Sequence, residues 1–568
     1  MKDRSKRELL TWSRFFWSTL FVAVFCILFS SISYSSFHLL RGQGRTKPEL
    51  LSTWRNPLME AVTEESQLTP SVTILQTVMI PDQSFLFLNH LPSSILYTKD
   101  SIDCVYLSPN SSEPVLMLNP LYIDGGNGSG HQAIVRCPLQ PRGVIVTLRL
   151  KASGGRLLRP GPTYRWDSLA YEAVIDYDNS TIVFFKGFGL KPNKLSDPTR
   201  FECVYGWEFR MRKLLLRSEV LSIGQEIARC KTPLSVLNSN GRVSSQRPAD
   251  SIRVSVKLKG RDALPSAALP IARPEFGQAN GEEKLHEMCV CTMLRNQARF
   301  LQEWIMYHAK IGVQRWFLYD NNSDDDIKRV IKMLNYLNYN VTRHLWPWIK
   351  SQEAGFAHCA LRARGHCKWV GFIDVDEFFH SPLDLSLGDV VRGQSKVGNV
   401  GEVRIFCYNF GPSGLKKVPR KGVTVGYTCR TRAHERHKSI VRPEALNPSL
   451  LNEVHHFHLR EGFDFVTLDR PIMGINHYKY QVWEVFKEKF YRRVATYVSD
   501  WQDEQNVGSK DRAPGLGTRA IEPSDWSSRF CKVNDTELRD RVVETFEDPE
   551  TQTLPWEREG GREAGEEE

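Results

Sequence analysis

The spacing of hydrophobic and polar positions changes character several times along the chain. Residues 15–34, FFWSTLFVAVFCILFSSISY, carry no charge and are long enough to cross a bilayer as one helix. Residues 35–83 are polar with no sustained period, as in a stem. From 84 to 256, short runs rich in Val, Ile, Tyr and Phe (SFLFLNHL, DCVYLS, VIVTLRL, TIVFFKGF, FECVYGWEF) alternate with Gly, Pro, Asn and Ser clusters. That texture predicts an antiparallel β-sandwich or barrel, and the Pro- and Ala-rich residues 257–283 predict a linker.

From residue 284 the pattern becomes that of an α/β domain. MCVCTML (288–294) reads as a strand buried on both faces and breaks at Arg295-Asn296. Phe300, Leu301, Trp304, Ile305 and His308 recur at helical spacing, with Gly312 as a stop. VQRWFLY then meets Asp320, and Ile327, Val330, Ile331, Leu334 and Leu337 mark a second helix. A strand near 341–346, a helix over 352–364 and a strand ending at Asp374 follow. This alternation predicts a doubly wound parallel sheet with its ligands at the carboxyl ends of the strands.

The candidate chemistry begins at 368–379, KWVGFIDVDEFF. Read as a strand end, it places Asp374 and Asp376 on one side, two positions apart, with Glu377 just beyond. Two carboxylates so placed repel each other unless a divalent cation sits between them, and such a cation could hold a diphosphate. A solvated acidic turn is the plainer reading of D-x-D alone. No G-x-G-x-x-G or Walker sequence supports a dinucleotide or P-loop site.

Charge and cysteine usage narrow the partners. Lys2, Arg4, Lys6, Arg7 and Arg14 against Asp3 and Glu8 put residues 1–14 on the cytoplasmic side of an uncleaved anchor, with everything after the span translocated. A cleaved signal peptide usually has a shorter apolar core. The net charge of +10 conceals an acidic end; residues 531–568 are expected to be a disordered acidic tail, and the basic remainder suits anionic ligands such as nucleotide diphosphates or acidic polysaccharide rather than nucleic acid. Of twelve cysteines, Cys104 with Cys137 and Cys203 with Cys230 pair by proximity. Cys289 and Cys291, alternating in a buried strand, read as packing. His455-His456-x-His458 offers metal ligands but reads more simply as part of an alternating strand; Trp166, Tyr171, Tyr205 and Trp207 read as sheet packing, with sugar stacking as the alternative.

CTMLRNQARFLQEWIMYHAKIGVQRWFLYDNNSDDD, GFIDVDEFF and GINHYKYQVWEVFKEKF, in that order over residues 284–530, resemble glycosyltransferase family 92, which includes plant β-1,4-galactan synthases. The resemblance implies a Rossmann-like GT-A catalytic domain, behind the β-sandwich-like domain and the transmembrane helix. It also implies an inverting, metal-dependent enzyme that uses a UDP-sugar, UDP-galactose where known. By the same resemblance Asp374, Asp376 and His477 would bind Mn²⁺ or another divalent cation, and Arg295, Asn296 and Asp320 would line the nucleotide pocket. Lys438 reads either as a partner of the diphosphate or as a surface lysine. Glu377 would act beside the metal pair, and the catalytic base is left open among Glu435, Glu444, Glu453 and Asp464.

The expected protein is thus a single-pass type II Golgi glycosyltransferase with a luminal catalytic domain, transferring galactose to a glycan or cell-wall polysaccharide. Its partners would be a nucleotide sugar, a glycan acceptor and the membrane, with a homo-oligomer left open. The alternatives are a catalytically weak carbohydrate-binding or scaffold protein and a metal-dependent phosphohydrolase.

Overall fold

A computed structural model describes residues 72–557 apart from 90–98, 110–112, 125–132, 152–153, 208, 210–214, 240–251, 272–283 and 498–521. The expected span at 15–34 and most of the stem lie outside the described residues. Among those described, no helix is long and apolar enough to cross a membrane.

The β-rich region is two sandwiches rather than one, and it begins at Ile74 instead of 84. In the first, strands Ile74–Met79, Gln83–Leu88, Ala133–Pro138, Tyr122–Asp124 and Thr163–Arg165 form one sheet, and Ile102–Leu107, Pro114–Leu118, Ile145–Leu150 and Arg156–Leu157 the other. Leu86, Leu88, Tyr106, Val135 and Leu148 fill the space between them. The second has a five-stranded sheet around Leu169–Ile175 and Ser180–Lys186, and a three-stranded one around Phe201–Gly206. Each sandwich is stapled sheet to sheet by an expected disulfide, Cys104–Cys137 and Cys203–Cys230. Short turn-bounded strands look alike in one sandwich or two; the division shows only in the separate cores.

The first half of the expected linker belongs to the second sandwich. Leu264, Ser266 and Ala268 are buried, the Ser266 hydroxyl donates to the Val254 carbonyl, and Pro270–Ile271 pairs with Leu169–Ile175. Small side chains let this Pro- and Ala-rich segment lie flat on the sheet.

In the catalytic region, β1 (His286–Leu294), α1 (Ala298–Lys310), β2 (Arg315–Asp320), α2 (Ile327–Tyr336), β3 (Val341–Leu345), α3 (Gln352–Arg364) and β4 (Cys367–Phe372) follow the predicted alternation. The four strands are parallel, in the order β3-β2-β1-β4. Beyond β4 the sheet is mixed, which corrects the all-parallel expectation. It continues through β5 (Glu377–His380), α4 (Leu387–Ser395), β6 (Val400–Asn409), β7 (His437–Val441), β8 (Asp464–Leu468) and β9 (Gly474–His477). Their spatial order is β4-β7-β6-β9-β5, with β8 beside β6. β7 runs antiparallel to both neighbours, so its connection from β6 needs no crossover helix of the βαβ kind. Helices α5 (Trp483–Tyr497) and α6 (Glu537–Phe546) complete the domain.

Two further expectations fail. Cys289 and Cys291 are not simply packed: they form disulfides with Cys367 of β4 and Cys359 of α3, because period two aims both at the face that α3 covers. Residues 531–557 are ordered, through a Cys429–Cys531 disulfide and through α6, whose Leu538 and Val542 are buried with Leu554. An apolar stripe at helical spacing outweighs the acidic composition there.

The sandwiches pack directly on the catalytic domain. Phe87 stacks on Trp348 with ring centroids 5.6 Å apart, Tyr171 meets Trp346 edge-on, and Arg343 pairs with both Asp320 and Asp124. Tyr171 and Tyr205 are therefore core residues. Trp166 lies under Lys186 and Lys350, each 5.7 Å from its ring, and only Trp207 of the four, 55% accessible, is largely exposed.

Candidate active site

The D-x-D carboxylates converge through a turn, not through strand pleat. β4 ends at Phe372, the Glu377 amide donates to the Asp374 carbonyl at 3.1 Å, and the Glu377 carboxylate accepts from the Asp374 amide at 3.0 Å. The turn is clamped from outside as well. Trp304, a core residue of α1, donates its indole N–H to the Glu377 carbonyl at 2.9 Å, and the Tyr478 amide donates to the Asp376 carbonyl at 2.9 Å.

Around this turn stand two lysines and two histidines. Lys438 lies on β7 and is buried, not in a surface loop. Its Nζ is 3.0 Å from Asp374 Oδ2 and 2.9 Å from Glu377 Oε1, and it donates to His455 Nε2 at 2.7 Å. The other nitrogen of His455, Nδ1, lies 2.9 Å from the Phe372 carbonyl, so a cationic Lys438 fixes His455 as the neutral Nδ1–H tautomer. His477, at the end of β9, has Nε2 3.6 Å from Asp376 Oδ2 and Nδ1 3.6 Å from Glu377 Oε1. Lys489 reaches in from α5 to pair with Asp376.

These neighbours set the protonation states. Burial alone would raise Asp374, yet the Lys438 ammonium holds it well below the usual carboxylate range. Asp376 is likewise held low against burial by Lys489 and His477. Burial, assisted by Asp374 and Asp376, pushes Glu377 up to about 7 against the pull of Lys438. Burial lowers His477 to about 4 despite Asp376, leaving a neutral imidazole with a lone pair at pH 7.

Two ionised carboxylates and a neutral imidazole are donors suited to a divalent cation. His477 Nε2 and Asp376 Oδ2 are 3.6 Å apart, near enough for a small shift to bring both to one ion. Asp376 and His477 thus stand where two ligands of one ion would, while Lys489 now pairs with that Asp376 oxygen and Asp374 is held by Lys438.

The carboxyl ends of β1, β2 and β4 share one edge of the sheet, which brings Arg295, Asn296 and Asp320 to the same side as Asp374. Asn296 exchanges hydrogen bonds with Asp324 at 2.7 and 2.9 Å. Asp320 is fully buried, accepting from the Ser323 amide and from Arg343. Among the base candidates, Glu435 stands on the active-site side, paired with Lys479 at 2.9 Å; Lys479 keeps its carboxyl below the usual range although burial opposes this. The structure does not bring Asp464 there. It starts β8 at the opposite end of the sheet, beside Val400 and bound to Asn399. Glu444 pairs with Lys284 and Glu453 with Asn193.

Comparison with known proteins gives the site its context. Residues 284–508 match the profile of glycosyltransferase family 92. A family 92 protein of Ricinus communis is 58% identical over 568 residues, covering 98% of this chain and all of the relative. The chain belongs to glycosyltransferase family 92. A family 92 protein of Oryza sativa is 49% identical over 94% of the chain and 93% of the relative. A beta-1,4-galactosyltransferase of Caenorhabditis elegans is 23% identical over 34% of the chain and 47% of the relative. A mannosyltransferase from Pyrobaculum calidifontis, solved with GDP-Man and Mn²⁺, overlaps 37% of the chain and 62% of its own length at a TM-score of 0.23 and 9% identity, too loose a likeness to bear on the site. As a member of family 92 the protein is a glycosyltransferase, which sets the phosphohydrolase reading aside.

Two residues beside the D-x-D turn are not assigned to the site by the sequence, although Lys489 falls on a helix read as packing beside His477 and His455 in a histidine cluster read as a strand. Lys489 left a signal: it lies with Val485, Phe486 and Phe490 on the apolar face of α5, where a lysine has no reason to be unless it meets an anion. His455 is hidden by the run of histidines around it, and nothing local marks it apart.

Proposed function

We propose that the protein transfers galactose from UDP-galactose to a glycan acceptor, with a divalent cation, Mn²⁺ or a similar ion, held by Asp374, Asp376 and His477. The observation that carries this reading is the convergence of two ionised carboxylates and a neutral His477 with Lys438 and Lys489 in one buried site. Carboxylates and imidazole suit the cation; the lysines suit the diphosphate. The likeness to a nematode galactosyltransferase favours galactose among donors.

The bound metal would supply Lewis-acid stabilisation of the leaving diphosphate. This chain's own residues do the rest. Lys438 keeps Asp374 ionised and oriented, and Trp304 and Tyr478 hold the turn rigid. Lys489 is placed to move from Asp376 to a donor phosphate when the cation binds. Glu435 is the acidic side chain on this side of the sheet that could accept the proton of the attacking hydroxyl, once Lys479 turns away. Five disulfides among the described residues are the chemistry of an oxidising compartment, which supports a luminal Golgi location behind an N-terminal anchor.

The test is the thermal midpoint of the purified full chain with UDP, UDP-galactose, UDP-glucose, GDP-mannose or ADP-glucose, each with and without Mn²⁺. A rise specific to uridine nucleotides that needs Mn²⁺, and is largest for UDP-galactose among the sugars, is expected. A response to guanosine or adenosine nucleotides alone would overturn the donor assignment.

A further inference from the structure

β6 and β7 present two faces. On one, Lys438 meets the catalytic carboxylates. On the other lie Glu402 of β6 and His437 of β7, and His456, next in sequence to the Lys438 partner His455, turns its ring to them. Single ligand atoms of Glu402, His437 and His456 all fall within 4.8 Å of one another, and the two imidazole centroids are 4.1 Å apart.

Hydrogen bonding leaves this cluster incomplete. His437 Nε2 and His456 Nδ1 are buried without a hydrogen-bond partner, an arrangement that is costly unless a ligand completes it. Glu402 is fully buried and firmly held: Ser439 donates to one oxygen, and Arg404 donates to the other at 3.0 and 2.8 Å. Each carboxylate oxygen has two lone pairs, so these bonds leave a lone pair for another ligand. Burial keeps both imidazoles neutral, with His456 brought down to about 3, and the neutral ring is the ligating form.

We propose that Glu402, His437 and His456 form a second metal site, distinct from the aspartate pair, that takes a zinc-class divalent cation. Two imidazoles and one carboxylate select a borderline ion over Mg²⁺ or Ca²⁺, which prefer all-oxygen shells. Arg404 and Ser439 are the outer partners that orient the carboxylate. The site is structural in consequence. An ion bound there pins His437 and His456, the chain neighbours of Lys438 and His455, and so fixes the lysine–histidine couple that faces Asp374.

The test uses the full chain, stripped with EDTA, exposed to Zn²⁺ in the presence of excess Mg²⁺, dialysed, and assayed for metal content. Wild type and Asp376→Asn should each retain about one equivalent of Zn²⁺, and the double variant His437→Asn/His456→Asn should retain under about a tenth of that. Co²⁺-loaded wild type should show visible absorption bands of a low-coordinate nitrogen and oxygen site, abolished by added Zn²⁺. If the double variant fails to fold, Glu402→Gln with the wild-type Co²⁺ spectrum decides the matter. No retained zinc and no Co²⁺ bands in folded wild type, or zinc lost in Asp376→Asn and kept in the histidine or Glu402 variant, would overturn the proposal.

Discussion

Lys438 is the residue on which the charge balance of the site rests, since one ammonium pairs with the fully buried Glu377 and also with the partly exposed Asp374. Removing it leaves both carboxylates uncompensated, and breaking a buried ion pair costs about 3–5 kcal/mol. Lys438→Met should therefore lower the unfolding free energy measured in urea by that order in metal-free protein, and added Mn²⁺ should restore part of the loss by taking over the neutralisation. Lys489 is less embedded, with a side chain 22% exposed. On the proposed role, Lys489→Met should raise the donor KM by about 10–100-fold with a smaller change in kcat, the loss of one charge-assisted hydrogen bond; equal losses in both would make it a structural ion pair. The D-x-D motif was readable from its residues alone as far as two converging carboxylates. The route by which they converge was not, because a turn closed by side-chain and backbone bonds at Glu377 leaves no periodic trace.

At the scale of elements, α1 carries a testable cost. His308 is fully buried on its core face, with Nδ1 against the Trp304 carbonyl at 2.7 Å and its ring stacked on Phe378. Burial lowers its pKa to about 3. The unfolded chain binds this proton below about 6.5 while the folded chain refuses it until about 3, so stability falls as pH drops through that window, by about 1.4 kcal/mol per pH unit. His308→Leu should flatten the dependence of the unfolding free energy on pH between 6 and 4 by that amount; an unchanged slope would mean that other groups govern acid unfolding. Helical spacing put His308 on the core face and foresaw α1 to α3 and β1 to β4. It did not foresee the antiparallel β7, because short strands after the D-x-D have the same texture in either direction. Nor did an acidic composition reveal α6, whose few apolar residues are enough to dock it.

Across the whole molecule, the two sandwiches and the catalytic region bury aromatic surface against each other, Phe87 and Tyr171 on Trp348 and Trp346. Residues 284–557 produced alone should therefore aggregate, whereas residues 72–557 should remain soluble; size-exclusion chromatography distinguishes the two. The Cys291–Cys359 disulfide closes a long loop, and Cys291→Ala with Cys359→Ala should lower unfolding free energy by about 2–4 kcal/mol. Proximity in sequence found the two sandwich disulfides because their partners lie only 33 and 27 residues apart. Cys289 and Cys291 find their partners 78 and 68 residues away, across βαβ crossovers, which no spacing rule reveals. Which face of the sandwiches meets the catalytic domain was equally hidden, since interface aromatics and core aromatics have one pattern.

The central claim is that the Asp374, Asp376 and His477 cluster holds the cation that drives sugar transfer. Its most direct test is release of UDP from UDP-galactose, with and without galactan oligosaccharides, by the full chain in Mn²⁺ or EDTA, beside folded Asp376→Asn. The account predicts turnover that requires Mn²⁺ and falls by about 100-fold or more in the variant. Turnover that persists in EDTA, or that Asp376→Asn leaves intact, would contradict it.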